Sequence, residues 1–250
     1  MHNTVARYRR LDSDKIIQSV RELESRIGRR FPDSGLSKIA AELSRVAEET
    51  AQRTTWIQRP QLLLRFAAAL LSLLIVAIVI GLLMNIHQFR FDDFTNSIQA
   101  FESTIGSVVF ISAAILFLMS CENRIKRSRA LKAVHELRAM AHIVDMHQLT
   151  KDPELYSGKA HAVPAALKRP MTPFELGRYL DYCSDALALI SKIAALYVQE
   201  FQDPVLLDAV DDVETLTSGL SRKIWQKITI FETLARKSGE VGEEMQGMTD

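Results

Sequence analysis

Patterns that carry chemistry are what this sequence lacks. Ten glycines in 250 residues leave little material for a backbone loop that wraps phosphate. No phosphate-binding loop, dinucleotide-binding glycine fingerprint or nucleophile elbow occurs. The two cysteines, Cys121 and Cys183, are too few for a disulfide framework, and nothing in their positions marks them as a pair. Two free thiols in a reducing compartment is the simpler account. Charge of one sign is missing as well. With 31 basic against 30 acidic side chains, the balance argues against a nucleic-acid partner. No internal repeat and no convincing strand pattern is present. No cofactor is implied and no catalytic activity is expected.

Charge is also absent locally, and there the absence is informative. Between Phe66 and Met84 no residue is charged, and only Ser72 and Gly81 depart from strict apolarity. A second uncharged run goes from Ser103 to Cys121. Each is about 19 residues, roughly 28 Å as a helix, close to the ~30 Å of a bilayer's hydrocarbon core. A buried helix of a soluble protein keeps a polar stripe, and the first run has none. A signal peptide does not fit a run that starts more than sixty residues in. The expectation is an all-α chain with a two-span transmembrane helical hairpin over 61–121, its spans at about 62–84 and 103–121. N- and C-terminal segments would build a cytoplasmic helical bundle.

Positive charge sets the expected orientation. Arg53, Arg59 and Arg65 precede the first run, and Arg124, Lys126, Arg127, Arg129 and Lys132 follow the second. The connection from Asn85 to Glu102 carries Arg90 against Asp92, Asp93 and Glu102. Both termini are therefore expected in the cytoplasm, with a bacterial inner membrane as the simplest setting and the acidic connection outside. Trp56 on one side and Phe89, Phe91 and Phe94 on the other are placed as interface anchors. Asp92 or Asp93 can cap a helix in which Phe94, Ile98, Phe101 and Ile105 recur at helical spacing. The second membrane helix is thus expected to start near Phe94 and to continue past Cys121. Small residues four apart (Ala68 and Ser72, Ala77 and Gly81, Ser103 and Ser107) would let helices approach closely in lipid.

Outside the apolar runs the spacing is amphipathic. Residues 1–60 contain a helix over Asp14–Gly28, with Ile16, Val20, Leu23 and Ile27 on one face. A second helix runs from Leu36 toward Trp56, with Leu36, Ile39, Leu43 and Val46 aligned. Pro60 should interrupt the approach to the membrane. Residues 122–236 hold a helix to Leu149, a long loop over 150–170 with four prolines or glycines, and then two helices of about thirty residues each. The first of these two opens on Thr172-Pro173-Phe174-Glu175, a capping box. Leu176, Leu180, Cys183, Leu187, Ile190, Ala194, Tyr197 and Phe201 then follow an a/d register over about four heptads. Leu176, Leu180, Leu187, Ile190 and Tyr197 form the candidate interaction seam. Gln202-Asp203-Pro204 turns the chain into the last helix, which is expected to end near Arg236. The tail, 237–250, reads as disordered.

One face invites a chemical test. His135, His142 and Asp145, with Arg138 between them and His147 nearby, are weak candidates for a metal site. The spacing misses that of a zinc-protease helix, since Ala139 stands where a second ligand is needed, and an arginine in the stripe disfavours a cation. A polar face with Asp145 paired to His142 or Arg138 is the simpler account. Asp211, Asp212 and Glu214 read as a solvated face. The apolar runs contain no ionisable group, which argues against a pump or coupled carrier. Ser103, Ser107 and Ser112, with Thr104, are possible pore-lining residues if several subunits assemble. The function expected from these features is a membrane-anchored helical scaffold, with the bilayer, a second copy and a cytoplasmic protein as partners. A subunit of an oligomeric channel is the alternative, and a metal-dependent membrane enzyme a further one.

Overall fold

The computed structural model describes residues 10–58, 62–86, 94–149 and 171–247. Among them are six helices and no strand: α1 (Ser13–Arg30), α2 (Gly35–Gln58), α3 (Leu62–Ile86), α4 (Phe94–Leu149), α5 (Pro173–Glu200) and α6 (Pro204–Gly247). The all-α class is as the sequence suggests. The chain forms two compact units, one of Met1–Trp56 with Ala130–Asp250 and one of Ile57–Arg129. The expected loop over 150–170, Pro60 and the aromatic residues Phe89 and Phe91 lie outside the described residues.

In the first unit each helix is started by its own sequence. Asp12 accepts hydrogen bonds from the backbone of Asp14 and Lys15 at the head of α1. Thr172 and Glu175 close the capping box of α5 in both directions, at 3.2 and 2.8 Å. Asp203 accepts from the amides of Val205 and Leu206 at the head of α6. The turn between α1 and α2 uses Asp33 in the left-handed region, φ 58°. Phe31, just before that turn, packs edge-on against Tyr179 and Tyr182 of α5, with ring centroids 5.5 and 6.2 Å apart.

Helix α5 is the centre of this unit. It packs on α6 and on α1. Its Tyr197 reaches Thr50 of α2. The apolar stripe of α1 (Ile16, Val20, Leu23, Ile27) and that of α2 (Leu36, Ile39, Leu43, Val46) are buried, as their periodicity implies. So is the stripe of the last third of α4, with Ala130, Val134, Leu137, Ala141 and Val144. Each buried aliphatic side chain of this kind contributes about 1.5–3 kcal/mol relative to exposure. Helices α4 and α6 run in the same direction here, because Arg138 meets Asp212 and the Gln148 carbonyl accepts from Lys227.

Two expectations change. Helix α6 continues to Gly247, past Arg236, where the sequence suggests a disordered tail. Glu240, Glu243, Glu244 and Met245 are good helix formers, and no proline interrupts them. The second change concerns the membrane. By length and composition one described helix is sufficient to cross a bilayer, the part of α4 within Ile105–Leu149. The apolar run of α3, Arg65–Gly81, is shorter, about 25 Å against a core of ~30 Å. By that measure one candidate span is present among the described residues, and the two-span hairpin is not confirmed.

One close approach in the first unit is a sensitive test of its packing. A methyl group added at Gly35 would run into Cε1 of His147 and lie within 2.9 Å of both its ring nitrogens. Gly35→Ala is expected to destabilise the bundle by about 1–3 kcal/mol, as overpacking does. Adding His147→Ala should recover part of that loss in chemical denaturation. Equal losses with and without His147→Ala would show that the two residues are not in contact.

Candidate functional site

The second unit presents apolar side chains to its surroundings on nearly every side. In α3, Leu62, Phe66, Leu70, Leu73, Val76, Ile80 and Met84 are exposed. In α4, Ile105, Val109, Phe110, Leu116, Phe117 and Met119 are exposed too. The exposure is large, 71 % at Phe66, 78 % at Phe110 and 68 % at Phe117. Helices that leave such side chains open in water would associate at once. Within each helix one stripe is half-covered: Ala67, Leu71, Ile75 and Ile78 in α3, and Val108, Ile111, Ile115 and Leu118 in α4. That is the pattern of two helices lying side by side with their remaining surface free. Of the small-residue pairs singled out in the sequence, Ala68 falls on this covered stripe, while Ser72, Ala77, Gly81, Ser103 and Ser107 face outward.

A charged cluster ends the apolar surface. Glu122 follows the uncharged run of α4 directly, yet it and Lys126 are both buried. The Lys126 ammonium lies 2.8 Å from one Glu122 carboxylate oxygen, and Arg65 of α3 lies 3.6 Å from the other. The partners lie one turn apart on α4 and at the head of the apolar run of α3, so the cluster ties the two helices together at one end. A buried ion pair is tolerable because each charge answers the other, while loss of one partner leaves an uncompensated buried charge. Sequence reasoning counted Lys126 and Arg65 only as flanking positive charge and passed over Glu122. The signal was present as a glutamate four residues before a lysine on one helix face.

The seam residues have a different fate from the one expected. Leu176, Leu180, Leu187, Ile190 and Tyr197 are all buried within the single chain, as are Cys183 and Ala194. The seam is therefore used up internally, and no a/d stripe of α5 remains open for a second copy. At its end is a polar node. Tyr197, 1 % exposed, donates to Thr50 at 3.2 Å, and Thr50 donates to the Val46 carbonyl at 2.7 Å. Arg53 next to it bridges Glu136 of α4 and Glu49 of its own helix at 3.0 and 2.9 Å. Burial pushes the Tyr197 phenol up from its ordinary pKa, against the opposing pull of Thr50 and Arg53. The node is a satisfied link between three helices, not an open site.

The other candidates are not assembled into sites. His135 and His142 are exposed. Asp145 accepts from Gln148 at 2.6 Å and Arg138 pairs with Asp212 at 3.2 Å, partners other than the pairing of Asp145 with His142 or Arg138 that the sequence suggests. Among the described residues, no group of three His, Cys, Asp or Glu side chains is placed to hold a metal ion. Ser103 and Ser107 are exposed and Ser112 is half-buried. The Ser107 hydroxyl donates to the Ser103 carbonyl of its own helix at 2.9 Å. Gln148, 1 % exposed, keeps the oxygen of its side-chain amide, Oε1, unpartnered inside the bundle.

No family model, curated protein or solved structure matches this chain. The case for function therefore rests on geometry.

Two measurements follow. Glu122→Leu should weaken the α3–α4 pairing by about 3 kcal/mol, because Lys126 loses its partner in a buried position. Combining it with Lys126→Leu should restore most of that in denaturation from detergent. Unequal behaviour in the opposite sense, with the double variant weaker than the single, would show that the pair itself supplies the stability. The second concerns Cys183. Burial pushes its thiol up to about 12, while nearby Lys227 pulls it back. In the folded protein it stays neutral through pH 7–10, so a thiol reagent should leave it unmodified there and react only after denaturation. The same raised pKa lets only the unfolded chain ionise above about pH 9, so stability should fall from that pH upward.

Proposed function

We propose that this chain is a membrane anchor for a helical cytoplasmic bundle, and that it acts by holding and assembling proteins, not by catalysis. In this reading it crosses the bilayer twice. The first span is α3, whose 25 residues cover about 37 Å. The second is the first part of α4. Both termini lie in the cytoplasm, and the acidic connection between the spans faces outward.

The observation that carries the reading is the outward-facing apolar surface of α3 and α4, ended by the Arg65–Glu122–Lys126 cluster. Lipid is the one surrounding that satisfies it, because the helices' own backbone bonds are complete and their exposed side chains are apolar. The cluster sits where positive charge flanks the apolar runs, at the edge of the hydrocarbon region. The bundle, by contrast, buries its apolar core and leaves only scattered apolar side chains, such as Leu207 and Trp225, exposed. An anchoring role also agrees with spans that carry no ionisable group. A pore lined by Ser103, Ser107 and Ser112 is less well supported, because the Ser107 hydroxyl is already bonded to its own helix.

Topology is the direct test. Cys121 and Cys183 are first replaced by alanine, and single cysteines are then placed by Asp92→Cys and Ser37→Cys. A membrane-impermeant maleimide applied to intact cells is expected to label the cysteine at 92 and to reach the one at 37 only after lysis. Labelling at 37 in intact cells, together with 92, would mean that α4 alone crosses the membrane.

A further inference from the structure

We infer that the outward face of α4, just past the end of its apolar run, binds the phosphate of an anionic phospholipid headgroup through Arg124 and Ser128. The inference rests on the anchoring reading above and names the lipid chemistry that the anchor selects.

Helix geometry places the site. Phe110, Phe117 and Arg124 are seven residues apart, two turns each, so they fall on one face of α4. Both phenylalanines are widely exposed, and Arg124 is exposed as well. Glu122 and Lys126 stand two residues to either side of Arg124, about 200° round the helix. They are buried on the opposite face, in the cluster with Arg65. The half-covered stripe that ends in Leu118 leads into that buried pair. Arg124 therefore continues the open apolar face of α4 and not its covered one.

No carboxylate answers Arg124. Among the described residues it makes no ion pair. From Ser103 to Arg129 the one acidic side chain is Glu122, and Lys126 and Arg65 already hold it. Ser128 lies one turn beyond Arg124 and is exposed. Ser72, Ser107 and Ser120 each donate to the carbonyl four residues before them. Ser128 makes no such bond among the described residues, so its hydroxyl is open. Side chains lean toward the N-terminus of their helix, so Ser128 leans back over Arg124. A guanidinium with paired donors and a hydroxyl one turn away form a donor set for phosphate oxygens. Arg127 and Arg129 have contacts of their own, and the site does not need them.

Depth and continuity make the phosphate a lipid's. The uncharged run ends at Cys121, three residues before Arg124, which is about 4.5 Å along the axis. The headgroup layer extends roughly 5–7 Å beyond the hydrocarbon core on each side. The Arg124 guanidinium thus falls at the level of the lipid phosphates, with the acyl chains of the same lipid along Phe117 and Phe110. A zwitterionic headgroup brings its own cation beside its phosphate. An anionic headgroup brings none, so the uncompensated charge of Arg124 selects it.

The test uses the full chain in vesicles of phosphatidylcholine, with spin-labelled phosphatidylglycerol or phosphatidylcholine as probe. Electron paramagnetic resonance reads the fraction of each probe held at the protein surface. The parent is expected to prefer phosphatidylglycerol about fivefold. Arg124→Gln should bring the ratio close to one, and Ser128→Ala should about halve it. Arg124→Lys should keep part of the preference, since charge remains and the paired donors are lost. Both positions are exposed, so folding is not at risk, and circular dichroism checks that the variants stay helical. Arg129→Gln removes the same charge on the other side of α4 and should leave most of the preference. An equal loss from Arg129→Gln would mean diffuse surface charge and overturns the proposal. So does an Arg124→Gln variant with the parent's preference. Inorganic phosphate that displaces the held probe would overturn the assignment to lipid. Held lipid of both kinds in equal amounts keeps the anchoring reading and removes this one, whereas no held lipid at all removes both.

Discussion

Helix α5 has more apolar surface than any one neighbour can cover, and the first unit is arranged around that demand. Leucines and isoleucines point from it in several directions; α6 and α1 pack on it, and its Tyr197 reaches Thr50 of α2. Because α1 and α2 come from before the apolar runs and α4 to α6 from after them, the bundle closes only when distant parts of the chain meet. Tyr197 shows this most directly, since its hydroxyl joins α5 to Thr50, 147 positions away in the sequence. Beside it Arg53 links α2 to α4 through Glu136. The core stripes of the first unit are thereby covered within one chain, while Met146, Leu207, Trp225 and Ile230 stay exposed.

The opposite holds for the second unit. One stripe of each of α3 and α4 is half-covered, and Phe66, Phe110, Phe117 and their neighbours are left open. No rearrangement of two helices can bury a surface that is apolar all round, so something outside the chain must cover it. That asymmetry, a bundle with a buried apolar core beside helices left apolar on nearly every side, is the physical basis for the anchoring account. The Arg65–Glu122–Lys126 cluster marks where one environment gives way to the other.

Much of this was legible in the sequence, and the reasons differ by element. The stripes of α1 and α2, the capping box at Thr172 and the start of α4 at Phe94 follow from local periodicity and capping chemistry, which act over a few residues. The a/d register of α5 was legible as a pattern, but its partner was not. A heptad stripe describes how much surface needs cover and does not say whether α6, α1 or a second chain provides it. The burial of Glu122 depended on Arg65 and Lys126 meeting it, and the first of these is fifty-seven positions away. The end of α6 was not legible because residues 237–250 show no apolar periodicity, while their glutamates are good helix formers.

The central claim is that both apolar helices lie in lipid while the bundle does not. A carbene reagent confined to the bilayer interior, activated on the full chain in membranes and read by peptide mass spectrometry, tests it most directly. The account predicts insertion in the peptides from both Phe66–Met84 and Ser103–Cys121, and none in α5. Insertion confined to Ser103–Cys121, or found along α5, would contradict it.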